Sequence, residues 1–268
     1  MKIGVIGTGN MGGAIMRGYG RNASANGDEI IAFSRTRSKL EKVCEDAGAV
    51  PADSMSELIK DSDVVLLAME PKNIRDNISN IAKDFTEDKL LISVAAGIDI
   101  NFFEDNIGAG TMVVRAMPNM PAKVGEGMSS LSRNMKVTDR AFTKAIDIFE
   151  GVGKAEEVDE SLIDAVGGVS GSSPAYTYMY IEALAQCAVK NGMEYDQAVR
   201  FAAQAVLGAA KMVLASDESP DDLRKAVCTE GGSTIEGYKK LVEMGFTEDI
   251  MEGMQATVNR TIEMAKGK

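Results

Sequence analysis

The chain contains no histidine and no tryptophan among its 268 residues. The first absence removes histidine-based triads, histidine-ligated zinc sites and any imidazole general base, so the chemistry must use other groups. Cysteine is scarce. Cys44, Cys187 and Cys228 are odd in number, far apart and without a CxxC pair, which indicates neither a disulfide framework nor a thiolate metal site and predicts a reducing cytoplasm. No metal is expected. Basic residues are outnumbered, 29 against 40 acidic ones, and the net charge of −11 repels polyphosphate backbones, so nucleic acid is not an expected partner. No charged n-region and apolar h-region precede the glycine-rich turn after Ile6, so no secretory signal is read. An uninterrupted long apolar run is lacking too: the most apolar stretch, Ala198 to Ala215, carries Arg200, Gln204 and Lys211, which argues against a membrane span.

What remains is a composition ordinary for a soluble protein, 45% apolar and 26% charged, at a length that suits one large domain or two modest ones. From Met1 to about Asp159 short β-rich runs alternate with helical stretches, the pattern of a parallel sheet covered on both faces. The predicted strands are Lys2 to Ile6, Glu29 to Ser34, Val64 to Ala68, Leu90 to Val94 and Met112 to Ala116. Runs such as Val64-Val65-Leu66-Leu67-Ala68 are apolar on both side-chain faces, as a central strand between two helical layers requires.

Beyond Ser161 the texture changes to long segments rich in Ala, Met, Leu and Gln, so a helical second domain is placed at 161–268, after a first at 1–160. Ser172-Ser173-Pro174 reads as hydroxyl caps before a proline at the first helical position, starting a helix from Ala175 to about Lys190 that Gly192 ends. Ser219-Pro220-Asp221-Asp222 and Gly231-Gly232-Ser233-Thr234 read as two further helix starts. The helices Ala175 to Lys190 and Ala198 to Ala215 carry few charges, so most of their circumference needs cover, and a dimer through this domain is expected. The alternative is that small Ala and Gly side chains allow tight packing within one chain.

Gly7-Thr8-Gly9-Asn10-Met11-Gly12 fits GxGxxG after a strand and at the opening of a helix. Glycines there allow a tight turn and close approach of backbone to a pyrophosphate, which the helix amides and dipole stabilise. The second strand ends at Phe33-Ser34-Arg35-Thr36-Arg37, where an NAD site places a carboxylate for the ribose 2′-hydroxyl. No carboxylate stands there. Two hydroxyls and two guanidinium groups suit a 2′-phosphate instead, so NADPH is predicted, with NADH also admissible; the alternative is that Arg35 and Arg37 are solvated surface charges. The tips Ala68 to Pro71 and Ser93-Val94-Ala95-Ala96-Gly97 are expected over the nicotinamide crevice. Ser170 to Tyr176 and Val227 to Ile235 are glycine and hydroxyl turns whose backbone N–H groups suit one small carboxylate, or else ordinary capped helix starts.

Together, Gly7 to Ala14, Ala68 with Pro71, Ser93 to Gly97, the run Arg115-Ala116-Met117-Pro118-Asn119-Met120-Pro121-Ala122, Ser170 to Tyr176 and Gly231 to Ile235 resemble the pyrroline-5-carboxylate reductase family. The resemblance implies a Rossmann-type doubly wound α/β domain, an all-helical C-terminal dimerisation domain, a homodimer with further assembly of dimers left open, and NAD(P)H-dependent reduction of Δ1-pyrroline-5-carboxylate to L-proline. It also implies Gly7 to Gly12, Ser34, Arg35, Ala68, Pro71, Ala95, Ala96 and Asn119 at the cofactor. Thr234 is the expected catalytic residue, its hydroxyl on the ring nitrogen. Thr229, Gly231, Gly232, Ser233, Ser172 and Ser173 are expected around the substrate.

The chain departs from that pattern at Glu70, where the family commonly has Lys, at Ser173, where it has Gly, at Glu230, where it has Pro, and at Met55, where it often has Asn. Glu230 is expected to face solvent, since a carboxylate aimed into an anion site would weaken it. Three rival readings stand beside this one. A β-hydroxyacid dehydrogenase-like enzyme would need a lysine early in the long helix, and Ala175 to Gln186 has none. A reductase of another cyclic imine would use nearly the same pocket. A non-enzymatic NADP-sensing protein would have no need for the Gly231 to Thr234 loop.

Overall fold

A computed structural model of the chain describes residues 1–265. Eight strands form one sheet: β1 (Lys2–Ile6), β2 (Glu29–Phe33), β3 (Val50–Pro51), β4 (Val64–Leu67), β5 (Leu90–Ser93), β6 (Met112–Met117), β7 (Gly127–Arg133) and β8 (Gly153–Glu157). Their spatial order is β3-β2-β1-β4-β5-β6-β7-β8, and every pair is parallel except β6 with β7. Strand order reverses between β1 and β4, and in such sheets ligands bind beyond the carboxyl ends of the strands at that crevice.

Helices α1 (Asn10–Ala23), α2 (Arg37–Ala47), α3 (Met55–Asp61), α4 (Pro71–Ala82), α5 (Ile100–Ile107) and α6 (Asp139–Glu150) cover the sheet. Val64, Leu66, Ile3 and Val5 face one core with Ile15, Leu40, Phe142 and Phe149 of α1, α2 and α6. Val65 and Leu67 face the other with Leu58, Ile74 and Phe103 of α3, α4 and α5. All four β4 residues are fully buried, as their continuous apolar run predicts.

The five predicted strands are present, with ends displaced by one residue or none; β3, β7 and β8 are additional. β7 (Gly-Met-Ser-Ser-Leu-Ser-Arg) buries Ser129, Ser130 and Ser132, so its sequence carries no apolar alternation. β8 (Gly-Lys-Ala-Glu-Glu) is a largely exposed edge whose charges discourage further pairing.

From Glu160 onward the elements are helical. The expected capped start at Ser172-Ser173-Pro174 does not occur. Short helix α7 (Ile163–Val166) runs through a π-helical turn, Gly167–Ser172, straight into α8 (Ser173–Lys190), so neither serine caps a free helix end. Pro174 explains the widened turn: it has no N–H for the Ser170 carbonyl one turn back, and its ring crowds that carbonyl. Then follow α9 (Tyr195–Ala215), α10 (Pro220–Val227), α11 (Ser233–Glu243) and α12 (Phe246–Ala265). Ser219 caps α10, its hydroxyl accepting from the Asp222 N–H at 3.2 Å.

The described residues form two compact units, one of residues 1–172 with 257–265 and one of residues 173–256. In the first, packing on the sheet continues past the change to all-helical structure at 160, because Arg115 of β6 binds Asp164 (3.1 Å) and Asn119 binds Ser170 (3.0 Å). The second unit buries few side chains. In α8 and α9 only Ala185, Ala198 and Ala202 are fully buried, whereas Tyr178, Met179, Phe201 and Leu214 are exposed. Helix α9 is long and apolar enough to cross a membrane by length and composition, and 11% of its apolar window is buried within the chain.

Candidate active site

The glycine loop leaves β1 and enters α1 through two close approaches. Gly7 adopts φ +102°, and a Cβ there would meet the Ala68 carbonyl oxygen at 2.5 Å; a Cβ on Gly12 would meet the Gly7 carbonyl oxygen at 2.0 Å. Both positions therefore require glycine. Gly9, by contrast, has nothing within 4 Å of an added Cβ and is the N-cap of α1, with no side chain to satisfy the first-turn N–H groups. An open backbone edge with unspent amides at a helix start is what a diphosphate needs. Thr8 is buried; Asn10 and Met11 open the helix, and Asn10 Oδ1 accepts from Lys123 Nζ at 3.0 Å.

Beside this loop lies a cavity of about 190 Å³ lined by Ile6 to Gly9, Phe33, Ser34, Arg35, Met55, Met69, Asn73 and Asn77. Six sequence-predicted or sequence-flagged positions meet in it: Gly7, Thr8, Gly9, Ser34, Arg35 and Met55. Phe33 and Met69 belong to the two strand tips read from the sequence but were given no role of their own, and the α4 asparagines were not predicted. Asn73 and Asn77 stand one helical turn apart just after Pro71, with Asn77 Nδ2 donating to the Asn73 carbonyl at 2.8 Å; that i,i+4 spacing was the available signal. Arg37 does not line the cavity. Its guanidinium binds Glu41 (2.8 Å) and Asp53 (2.9 Å), so the sequence-level pairing of both arginines with one phosphate does not match the geometry.

The remaining predicted cofactor positions follow strand ends. Ala68 N donates to the Ile6 carbonyl at 2.8 Å, and Pro71 starts α4 behind Glu70. Ala95 and Ala96 follow β5, with Ala95 N on the buried Ser93 hydroxyl at 3.3 Å and Gly97 O accepting from Arg75 at 3.2 Å. Asn119 is buried and its side chain is engaged with backbone at both ends, Oδ1 accepting from Met128 N and Nδ2 donating to Ser170 O, each at 3.0 Å.

In the second unit, Thr229 to Thr234 join α10 to α11. Gly231 has φ +74°, and a Cβ on Gly232, the N-cap of α11, would lie 2.8 Å from Thr229 Oγ1, so that side chain would have to turn away. Ser233 and Thr234 are the first two residues of α11, both exposed, as are Thr229 and Glu230. The Gly232 N–H already donates to the Thr229 carbonyl at 3.1 Å. That amide reaches a carboxylate only as a shared donor, which shifts the expected anion contact toward Gly231 and the α11 first turn. Ser172 ends the first unit and Ser173 opens the second.

A doubly wound sheet with a glycine fingerprint at its switch point and a hydroxyl-arginine tip on the next strand defines an oxidoreductase using a nicotinamide dinucleotide. Residues 2–97 match the family described as NADP oxidoreductase, coenzyme F420-dependent, and residues 160–264 match pyrroline-5-carboxylate reductase dimerisation. The chain is 38% identical over 265 residues to pyrroline-5-carboxylate reductase of Escherichia coli, covering 99% of this chain and 98% of that protein. It is 37% identical to the enzyme of Methanosarcina acetivorans over the same shares. Among solved structures, the Coxiella burnetii reductase superposes with a TM-score of 0.90 at 32% identity, covering 97% of each chain. The Plasmodium falciparum reductase with NADP bound gives 0.87 at 28% identity, covering 99% of this chain and 98% of that one. The chain belongs to the pyrroline-5-carboxylate reductase family. Similarity to a Mycobacterium tuberculosis 3-hydroxyisobutyrate dehydrogenase, TM-score 0.52 at 15% identity, is one of fold alone.

Proposed function

We propose that the chain reduces the C=N bond of 1-pyrroline-5-carboxylate to give L-proline, the last step of proline formation, with NADPH as the preferred coenzyme and NADH admissible. The observation that carries this reading is the 265-residue match to the Escherichia coli reductase, which runs through both compact units rather than through the nucleotide fingerprint alone.

Bound NADPH supplies the hydride. The chain's own residues hold and orient. First-turn amides of α1 receive the diphosphate, Ser34 and Arg35 receive the 2′-phosphate, and Ala68, Pro71, Ala95 and Ala96 frame the nicotinamide end. Asn119 stands at that end in this reading, its side chain held by Met128 and Ser170. The Thr234 hydroxyl accepts from the N–H of the protonated ring imine. The Thr229 hydroxyl, Gly231 and the α11 first turn with Ser233 hold the carboxylate, Gly232 shares its N–H, and Ser172 and Ser173 complete the pocket. Hydride addition to an iminium gives the amine directly, so no protein acid is required and the absence of histidine is no obstacle. Orientation is the main source of acceleration, worth up to about 7–11 kcal/mol in well-aligned systems.

The functional form in this reading is a soluble cytoplasmic homodimer, joined through the helical region after residue 160, that engages neither nucleic acid nor membrane; assembly of dimers into a larger particle is compatible with it. The exposed apolar faces of α8 and α9 support the dimer. The decisive assay follows loss of NADPH absorbance with pyrroline-5-carboxylate, with NADH and with the six-membered cyclic imine as comparisons. Preference for the five-membered acid with NADPH is expected. No NADPH oxidation with any cyclic imine refutes the reading, and preference for the larger ring reassigns the substrate.

A further inference from the structure

The coenzyme cavity is flanked by two arginines two residues apart in sequence, Arg35 and Arg37, and their surroundings differ. Arg35 lines the cavity beside Ser34, and among the described residues it has no carboxylate partner. Arg37 opens α2 and points its guanidinium to the far wall. Its Nε donates to Glu41 at 2.8 Å, and its Nη1 donates to Asp53 at 2.9 Å and to the Ala52 carbonyl at 3.4 Å. We propose that Arg37 is a positioning residue that ties the two walls of the adenosine pocket together, leaving Ser34 and Arg35 to meet the 2′-phosphate. This inference rests on the coenzyme reading above.

The two walls are turns that share a backbone link only at their roots, where β2 pairs with β3 and Ala52 reaches Ala32. One is Phe33 to Thr36, which leaves β2; the other is Ala52 to Met55, which enters α3 and presents Met55 to the cavity. Each end of the second wall is anchored. Ala52 N donates to the Ala32 carbonyl of β2 at 2.8 Å, and Ser54 caps α3 by accepting from the Glu57 N–H at 3.1 Å while Glu57 accepts from the Asp53 N–H at 3.2 Å. Asp53 is thus offered from a braced segment, and the Arg37 guanidinium closes a ring that runs from Ala32 along the first wall and back through Ala52. The residues between, Ser34 and Arg35, lose freedom before any ligand arrives.

Electrostatics weigh against the competing role for Arg37. With Glu41 and Asp53 both on its guanidinium, the local charge sum is already negative, so a phosphate dianion placed there would meet two carboxylates. Arg35 carries no such debt.

The test titrates NADPH and NADH directly, by nicotinamide fluorescence without substrate, against wild type, Arg35→Gln, Arg37→Gln, Asp53→Asn and the double variant Arg37→Gln with Asp53→Asn. A wall tie predicts that Arg37→Gln and Asp53→Asn each weaken both coenzymes by similar factors, about two- to fivefold as for an exposed ion pair. The double variant should be no worse than the weaker single one, because both remove the same link. Arg35→Gln should lower NADPH affinity and leave NADH affinity close to wild type. Asp53→Asn changes an exposed side chain and stays informative if Arg37→Gln fails to fold. Tighter NADPH binding in Asp53→Asn, a loss confined to NADPH in Arg37→Gln, additive losses, or no change in either coenzyme would each overturn the proposal. A wild-type chain that binds neither coenzyme would remove the coenzyme reading itself, and this inference with it.

Discussion

Asn119 and Ser170 are joined by a hydrogen bond of 3.0 Å, from the amide nitrogen of one to the backbone carbonyl of the other. Pro174 makes this bond necessary, because the residue that would donate to the Ser170 carbonyl one α-turn on has no N–H. The same asparagine accepts from the Met128 N–H of β7 at 3.0 Å, so one side chain completes two backbone groups of different elements. Asn119→Ala leaves both without that partner in a buried setting. A loss of about 2–4 kcal/mol in urea unfolding is expected, since each unsatisfied buried group costs about 1–3 kcal/mol. Asn119→Asp keeps the acceptor for Met128 but sets a carboxylate oxygen against the Ser170 carbonyl and buries a charge, so it should lose at least as much; equal stability of Asn119→Ala and wild type would show that water replaces the side chain in both bonds.

Much of this was legible from residues whose pattern is local. The β1 fingerprint, the apolar run of β4 and the Ser219-Pro220 start of α10 each carry their signal within a few residues, and the structure has them where the sequence puts them. Other features depend on partners far along the chain. β7 is a strand because Met117 to Val114 pair with Ser130 to Arg133, not because its serines favour one. Ser172-Ser173-Pro174 has the composition of a capped start, but tertiary bonds from Arg115 and Asn119 hold the preceding turns helical, so no start occurs. Arg35 and Arg37 look alike in sequence and are distinguished by the partners of Arg37, Glu41 one turn along α2 and Asp53 sixteen residues on, of which only the first is a local signal.

The role given to Thr234 predicts a split between catalysis and coenzyme binding. Its hydroxyl at the start of α11 faces no coenzyme phosphate in the proposed arrangement, so Thr234→Ala should leave NADPH affinity within about twofold of wild type. The efficiency kcat/KM for pyrroline-5-carboxylate should fall about 10- to 100-fold, the worth of one hydrogen bond to a charged group. Thr234→Ser should recover most of it. Unchanged turnover in Thr234→Ala removes this residue from the chemistry.

At the opposite end of the sheet Asp28, nearly buried, accepts from Tyr19, from Lys144 (2.9 Å) and from the Met1 amino group (2.8 Å). Burial alone would raise its pKa, but the bonds from Met1, Tyr19 and Lys144 outweigh that and hold the carboxyl below its ordinary value. Burial would likewise lower Lys144, and its bonds to Asp28 and Tyr19 raise it instead. A depressed carboxyl stabilises the fold above its unfolded value, about pH 4, and that contribution is lost as pH falls through the lower folded value. A raised lysine stabilises below about pH 10.4 and loses its contribution above the folded value. Asp28→Asn should therefore cost about 3–5 kcal/mol near neutral pH, the usual cost of breaking a buried pair, and should flatten the acid limb of a stability–pH curve measured by denaturant. A variant with the wild-type acid limb would assign that limb to other carboxylates.

The exposed apolar face of α9 has two candidate covers, a second copy of the chain and a lipid bilayer, and their physical demands differ. A membrane span would have to bury Arg200, Gln204 and Lys211 in hydrocarbon, where each central charge costs about 2.5–3.5 kcal/mol on insertion scales. A protein partner asks only that the apolar faces be matched, and the Lys and Arg stems can lie across the rim with their charges in water. Phe201 is 63% exposed and Leu214 87% exposed in the single chain, so a charge at either position costs the isolated fold little. Phe201→Glu and Leu214→Glu should each shift sedimentation from dimer toward monomer with a lowered melting temperature, because such a dimer's stability depends on its association. Wild-type chain should stay at the bottom of a flotation gradient with neutral lipid vesicles. Flotation of the wild type, or dimers unaffected by both substitutions, would assign the face to a different cover.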